Sequence, residues 1–261
     1  RFEEHPNIVS VRDFFRENQT AYFVMNYIEG VTLKEYVKQH GDRLDFNTAL
    51  AIMLPVMDAL AEVHTQGILH RDISPDNIFI TEKGIVKLLD FGAARQAVGE
   101  HSKSMSVILK PGYAPEEQYR SRGSQGPWTD VYAVGATFYR ILCGQVPPDS
   151  LDRMAGEELI APSQMSVSLP PESEAALLKA LAVNAGERFQ SMREFQQALT
   201  GKAPSSERER DIPEGDHRKD RQSLEKSGGE GKPTPRMLVA GIIAIILSLM
   251  AGGAWWLFST E

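Results

Sequence analysis

Two carboxylates and one amide in a short stretch of the chain have the types and spacing that phosphoryl transfer requires. Asp72 and Asn77 lie five residues apart in one polar segment, and Asp90 follows Asp72 by eighteen residues. One carboxylate can orient a hydroxyl group and accept its proton, while the other carboxylate and the amide hold magnesium against phosphates. These three side chains are therefore the first candidates for a catalytic site.

A predicted β-hairpin brings the three candidates to one edge of a cleft. The apolar runs 78–80 and 85–89 lie on either side of Gly84, a residue that favours tight turns. Two of the candidates precede this hairpin, and Asp90 follows it directly. The hairpin thus carries a candidate catalytic segment at each end.

Three motifs resemble the signature set of protein kinases. They are His70-Arg71-Asp72-Ile73-Ser74-Pro75-Asp76-Asn77, Asp90-Phe91-Gly92 and Ala114-Pro115-Glu116. A single tripeptide recurs by chance, but three motifs in this order and spacing are specific. Residues 5–200 resemble a bacterial, membrane-anchored Ser/Thr protein kinase. The resemblance implies an α+β, two-lobed fold with a partial small β lobe, a complete and mainly helical large lobe, and one transmembrane helix.

The resemblance implies catalytic and metal-binding roles for the candidates. Asp72 is expected to orient the acceptor hydroxyl and accept its proton, and Asn77 and Asp90 are expected to bind Mg²⁺. ATP is the expected phosphoryl donor, and proteins are the expected substrates. Two rivals remain open: a pseudokinase that acts as a tethered binding module, and a kinase of small molecules. Pro75 follows the pattern of Ser/Thr kinases and so favours this specificity over tyrosine. Ser74 departs from that pattern and weakens the argument.

The adenine site is expected where the two lobes join. By resemblance, the backbone of Asn26 and Ile28 would bond the adenine, Met25 would be the gatekeeper, and Phe79 would lie under the ring. Asp90 would complete the nucleotide site through its magnesium. The implied kinase domain covers 1–200, divided into a small-lobe remnant, a hinge and a large lobe at 1–25, 26–30 and 31–200.

Two departures from the family pattern predict a third catalytic residue. Ser74 stands two residues after Asp72, where Ser/Thr kinases usually carry a lysine that meets the transferring phosphate. Lys110 stands where they usually carry a threonine that hydrogen-bonds the catalytic aspartate. We therefore expect the hydroxyl and the ammonium to have exchanged places, with Lys110 next to the reacting groups. The alternative is that Lys110 points to solvent or to an acidic substrate.

Several other residues have supporting roles by resemblance. Glu116 is expected to pair with Arg188, and Asp130 is expected to brace the backbone of the catalytic loop. His64 is expected to pack or cap near the end of its helix, without a chemical role. Apolar periodicity and capping residues predict helices over 33–39, 45–66, 129–142, 174–182 and 192–199.

The activation segment, 93–115, predicts regulation by phosphorylation. It contains Ser102, Ser104 and Ser106, and by resemblance Arg71 would dock a phosphoserine of this segment. Autophosphorylation of one or more of these serines is therefore expected, with self-association as the route for transfer between two copies.

Composition excludes several classes of protein. The chain has 261 residues, 42% apolar and 24% charged, which is an ordinary globular balance. Its net charge of −7 argues against a nucleic-acid partner. A single cysteine, Cys143, excludes a disulfide framework and a cysteine-rich zinc site, and a buried inert thiol is expected.

The first residue, Arg1, falls inside the small lobe of the implied fold. The family's Gly-rich loop, its phosphate-gripping lysine and the glutamate that pairs with this lysine are expected upstream. We therefore expect the chain to be a fragment with an incomplete nucleotide site and an open sheet edge, inactive and poorly soluble alone.

The C-terminal part predicts a membrane anchor. Residues 201–236 are rich in Gly, Pro, Ser and mixed charges, which is typical of a disordered linker. Residues 237–258 contain no charge and are long enough to span a membrane, leaving 259–261 as the start of an outer segment. Basic residues precede the span, so the kinase domain is expected in the cytoplasm of a single-pass membrane protein.

Overall fold

A computed structural model describes residues 5–18, 20–89, 109–120 and 122–201 of the chain. The chain divides into two units, Arg1–Arg208 and Glu209–Glu261, and every described residue lies in the first. Three sets of predictions fall outside the described residues: the role of Asp90, the phosphorylation of the three activation-segment serines, and the linker and membrane helix beyond residue 201.

The N-terminal part is a β-hairpin. Its strands are β1 (Val11–Glu17) and β2 (Thr20–Met25), which pair antiparallel. Asn18 begins the turn with a positive φ of 50°, a conformation that asparagine tolerates better than most residues. An irregular segment, 26–29, then leads into the rest of the domain at the place where the hinge is predicted.

A three-stranded antiparallel sheet carries the candidate catalytic segment. It has the order β3 (Gly30–Thr32), β4 (Ile78–Thr81), β5 (Val86–Leu88). The β4–β5 hairpin confirms the predicted pair of strands, and Gly84 takes a positive φ of 75° in its turn. Gly30 fits only as glycine, because a Cβ there would lie 2.2 Å from the carbonyl oxygen of Ile80. This close approach holds the end of the hinge against β4.

The large lobe is helical, and its predicted helices are confirmed with small changes at their ends. The helices predicted over 33–39 and 192–199 have the predicted bounds. Their first residues are fixed by Thr32 and Ser191, which cap them with local hydrogen bonds. The helix predicted over 174–182 starts earlier, since Pro171 occupies a first-turn position where its missing N–H costs nothing. The helices are α1 (Leu33–Gln39), α2 (Phe46–Thr65), α3 (Glu116–Tyr119), α4 (Pro127–Cys143), α5 (Ser150–Met154), α6 (Pro171–Ala180) and α7 (Met192–Leu199).

The core lies around α4. Fourteen of its 17 residues are buried, and they pack with α2, α6 and α7. The predicted buried thiol is confirmed: Cys143 is fully buried, and this burial raises its pKa to about 11. Among the described residues, α2 has the length and hydropathy to cross a membrane, but nine of its 20 residues are buried in this domain, as in a core helix.

Candidate active site

The backbone of the loop that carries Asp72 is hydrogen-bonded to Asp130, a buried carboxylate in the first turn of α4. Its Oδ2 accepts a hydrogen bond from the backbone N–H of His70, and its Oδ1 accepts one from the N–H of Arg71, both at 2.8 Å. A carboxylate at this place can satisfy two buried backbone donors at once. The predicted bracing role of Asp130 is confirmed.

His64 is a third partner of Asp130, which sequence reasoning missed. Its Nε2 lies 2.7 Å from Oδ2 of Asp130, and its side chain is 7% exposed. Its position, on the core-facing stripe of α2 and six residues before His70, indicates burial but does not identify this partner. Burial alone would raise the pKa of Asp130, but the hydrogen bond and charge of His64, the charge of His70 and the N–H of Arg71 hold this pKa below its usual range.

The depressed pKa of Asp130 leads to a prediction about stability in acid. A carboxyl group with a lower pKa in the folded than in the unfolded protein stabilises the fold above its unfolded pKa of about 3.9. This contribution is lost as the pH falls through the folded pKa. We therefore expect the difference in unfolding free energy between wild type and Asp130→Asn to shrink below about pH 4 in urea titrations. A difference that stays constant in acid would show that the carboxylate charge is not what holds the loop.

Arg71 has an unusual backbone that is fixed on both sides. Its φ is +68°, in the left-handed region that costs energy for a residue with a side chain. Asp130 holds its N–H, and the side-chain Nε2 of Gln118 donates to its carbonyl at 2.9 Å. The Nε of Arg71 is buried and has no hydrogen-bond partner among the described residues. Its docking of a phosphoserine stays a prediction.

Asp72 and Asn77 meet at the end of this loop. The Nδ2 of Asn77 donates to the carbonyl oxygen of Asp72 at 2.6 Å and to its Oδ2 at 2.9 Å. Both partners are acceptors, so the amide nitrogen must face Asp72 and the amide oxygen faces away. Oxygen ligands of this kind suit Mg²⁺, so the residue present fits the predicted metal role. The backbone carbonyl of Asn77 also accepts from the N–H of Leu89, the residue that precedes Asp90.

Lys110 lies against Asp72, so it does not simply point to solvent. Its Nζ donates to Oγ of Ser74 at 2.8 Å and lies 3.3 Å from Oδ1 of Asp72. Ser74 is fully buried, while the side chains of Lys110 and Asp72 are 33% and 41% exposed. The ammonium thus reaches both the carboxylate that is predicted to be catalytic and Ser74, the position where a lysine is usual in the family that the chain resembles. Its catalytic role stays a prediction.

The residues predicted to bind adenine lie on two elements. Met25 ends β2 with 37% of its surface exposed, and Asn26 and Ile28 lie in the irregular segment after it. Phe79 lies in β4, opposite Thr32 of β3. The side chain of Asn26 is engaged, since its Oδ1 accepts from Nε of an arginine in β1 at 2.8 Å. Their contacts with adenine stay a prediction.

The predicted pairing of Glu116 with Arg188 is wrong, and Glu117 makes this pair instead. Arg188 donates from Nη1 and Nη2 to the two carboxylate oxygens of Glu117, at 2.7 and 3.1 Å. Glu116 pairs with Arg120, the residue that follows α3. Consecutive residues on a helix point about 100° apart, so only one of two adjacent glutamates can face Arg188. The motif alone did not identify which of the two glutamates pairs with Arg188.

Comparison with known proteins gives one consistent result. The family model described as "Protein kinase domain" matches residues 1–205. A probable serine/threonine-protein kinase of Clostridium perfringens is 33% identical over 73% of this chain and 29% of its own length. The serine/threonine-protein kinase PrkC of Bacillus subtilis is 34% identical over 74% of this chain and 31% of its own. The chain thus spans about three tenths of the length of these relatives.

Solved structures resemble the chain as well. The structure titled "PpkA-294 apo form" superposes with a TM-score of 0.65 and 36% identity, covering 75% of this chain and 69% of that one. The kinase domain of PknI from Mycobacterium tuberculosis superposes with a TM-score of 0.63 and 25% identity, covering 76% and 72%.

Proposed function

Because the chain belongs to the protein kinase family, we propose that it transfers the γ-phosphoryl group of ATP to serine or threonine hydroxyl groups of proteins. The observation that carries this proposal is the arrangement of Asn77 and Lys110 around the exposed carboxylate of Asp72. The names of the similar bacterial proteins, which are serine/threonine-protein kinases, support the same class of acceptor.

Each of the three residues has a distinct task in the proposed reaction. Asp72 orients the acceptor hydroxyl and takes its proton at a carboxylate oxygen. Asn77 fixes the rotamer of Asp72 through its amide nitrogen and offers its amide oxygen, with Asp90, to magnesium. Magnesium, when bound, neutralises charge on the phosphates. Lys110 brings a positive charge to the place where negative charge develops during transfer, which lowers the barrier electrostatically.

The proposal is tested by phosphotransfer from γ-labelled ATP with the full-length protein. We expect label on a protein acceptor, and acid hydrolysis should give phosphoserine or phosphothreonine. Label found only as phosphotyrosine would show that the protein is a tyrosine kinase and not a serine/threonine kinase. Nucleotide binding by a folded protein without any transfer would favour a binding module instead.

We also propose that the protein is tethered to a membrane by residues 237–258, with the kinase domain in the cytoplasm. Support comes from the uncharged run of 22 residues and from Lys226, Lys232 and Arg236 on its N-terminal side. A reporter that is active only outside the cytoplasm, fused after Glu261, should give a signal. A reporter that is active only inside the cytoplasm should be silent at the same site, and the reverse result would overturn the assigned orientation.

A further inference from the structure

A cavity lies beside the catalytic loop, between this loop, α1 and α4. Its volume is about 240 Å³, which is enough for an amino-acid side chain. The backbone N–H of Lys34 donates to the carbonyl of Pro75 at 3.1 Å, which fixes α1 against the loop. We call this cavity the side groove, and its polar walls are Lys34, Asp76, Tyr113 and Arg140.

The charges of the side groove favour an anion. Its two cations are Lys34 and Arg140, and its one carboxylate, Asp76, is already bound to Nζ of Lys34 at 2.9 Å. A basic ligand would have to displace Lys34 and approach Arg140, and such like-charge contacts are unfavourable. An acidic ligand meets a guanidinium whose own ion pair, with Asp42, is long at 3.9 Å.

Arg140 is well placed to bind a carboxylate. It extends from the last turn of α4, and its side chain is 22% exposed, so its charge is only partly screened by solvent. One of its N–H groups donates to the carbonyl of Asp42 at 3.1 Å, which fixes the direction of the side chain. The remaining donors of the planar guanidinium suit a carboxylate, which can accept two hydrogen bonds from it.

The side groove lies within reach of a substrate that is bound at Asp72. Tyr113 lines this groove and also the cleft formed by Asp72 and Lys110. Asp76 follows Asp72 by four residues, a stretch that spans at most about 14 Å when fully extended. A peptide with its hydroxyl at Asp72 can therefore place a side chain in the groove within about four residues.

We propose that the side groove binds an aspartate or glutamate side chain of the protein substrate, within about four residues of the phosphorylated serine or threonine. This inference rests on the proposed kinase function and adds a specificity to it. Arg140 is the main recognition residue, and Lys34 adds to the positive charge. Substrate choice by this enzyme then includes an acidic residue beside the acceptor site.

The test uses the full-length protein and peptides that differ at one position. Each peptide has a single acceptor serine and carries Glu, Gln or Lys at one of the four positions on either side. We expect one position at which Glu gives a kcat/KM about tenfold above Lys, with Gln between them. The preference should weaken as the salt concentration rises, because the charges are partly exposed.

Variants of Arg140 test whether the preference for Glu in the peptide arises from the side groove. Arg140→Gln should abolish the preference for Glu, and Arg140→Glu should reverse it in favour of Lys. Lys38→Glu is the matched control, since Lys38 is exposed one turn along α1 from Lys34 and does not line the groove. The ratio of two peptides within one variant is insensitive to the fraction of folded enzyme, so partial loss of folding does not imitate the result.

The possible outcomes separate the inference from the proposed function. Absence of transfer to every peptide would count against the kinase function itself. Transfer without any preference among Glu, Gln and Lys would overturn the inference alone. A preference for Lys would overturn it and point to Asp76 as the recognition residue. A preference for Glu that survives Arg140→Glu would also overturn it, because the groove would not be its source.

Discussion

Replacing Glu117 with alanine is expected to lower the free energy of unfolding by about 3–5 kcal/mol. The pair that it forms with Arg188 is buried, with side chains 3% and 0% exposed. Thr129 also donates to Oε1 of Glu117 at 2.9 Å, so the carboxylate links α3 to α4 and to the segment between α6 and α7. Its removal leaves the charge of Arg188 in the interior without a counter-ion, and this uncompensated charge is the main cost.

Glu116→Ala is the matched control for this prediction. Glu116 is the neighbouring residue of the same type, but its partner Arg120 is 58% exposed, so the loss should be about 1 kcal/mol or less. Urea unfolding of the wild type and both variants gives the two differences directly. Equal losses at Glu116 and Glu117, or a larger loss at Glu116, would contradict the assignment of the buried pair.

Lys110→Ala is expected to lower kcat by about two orders of magnitude, with little change in ATP binding. The ammonium lies 3.3 Å from Oδ1 of Asp72, where it can stabilise charge that develops only during transfer. Loss of such a group affects the transition state more than the bound substrate. Steady-state kinetics with the full-length protein measure this split, and Lys83→Ala, in the exposed turn between β4 and β5, is the control.

The exchange of Ser74 and Lys110 is tested by a coupled pair of changes. The double variant Ser74→Lys with Lys110→Thr restores the order of residues that is usual in the family. Because Nζ of Lys110 and Oγ of Ser74 are 2.8 Å apart, the two changes should not be independent. We expect more activity in the double variant than the product of the two single effects. Activity equal to this product would show that the residues do not act as a pair.

Local signals in the sequence were sufficient for much of the fold. The helices that follow Thr32 and Ser191 begin at the predicted residues. An N-cap and the glutamate three positions later form a signal that lies within a single helical turn. The β4–β5 hairpin follows from two apolar runs and Gly84. The bracing by Asp130 followed from resemblance, because a motif carries information about a contact 60 residues away.

Contacts without a motif could not be predicted in the same way. His64 meets Asp130 across 66 residues, and neither its type nor its spacing distinguishes it from a histidine that packs in the core. Gln118 donates to the carbonyl of Arg71, a residue with a left-handed backbone, and the sequence gives no indication of that conformation. The choice between Glu116 and Glu117 depends on the rotation of the short helix α3, which local patterns do not fix.

The proposed kinase activity depends above all on the carboxylate of Asp72. The most direct measurement compares γ-phosphoryl transfer by the full-length wild type, Asp72→Asn and Glu82→Gln, with saturating ATP and protein acceptor. Glu82 lies exposed in the β4–β5 turn and controls for the change of a carboxylate to an amide. We expect kcat to fall by about two to four orders of magnitude in Asp72→Asn alone, while ATP still binds. Transfer by Asp72→Asn at the wild-type rate would contradict this dependence on Asp72.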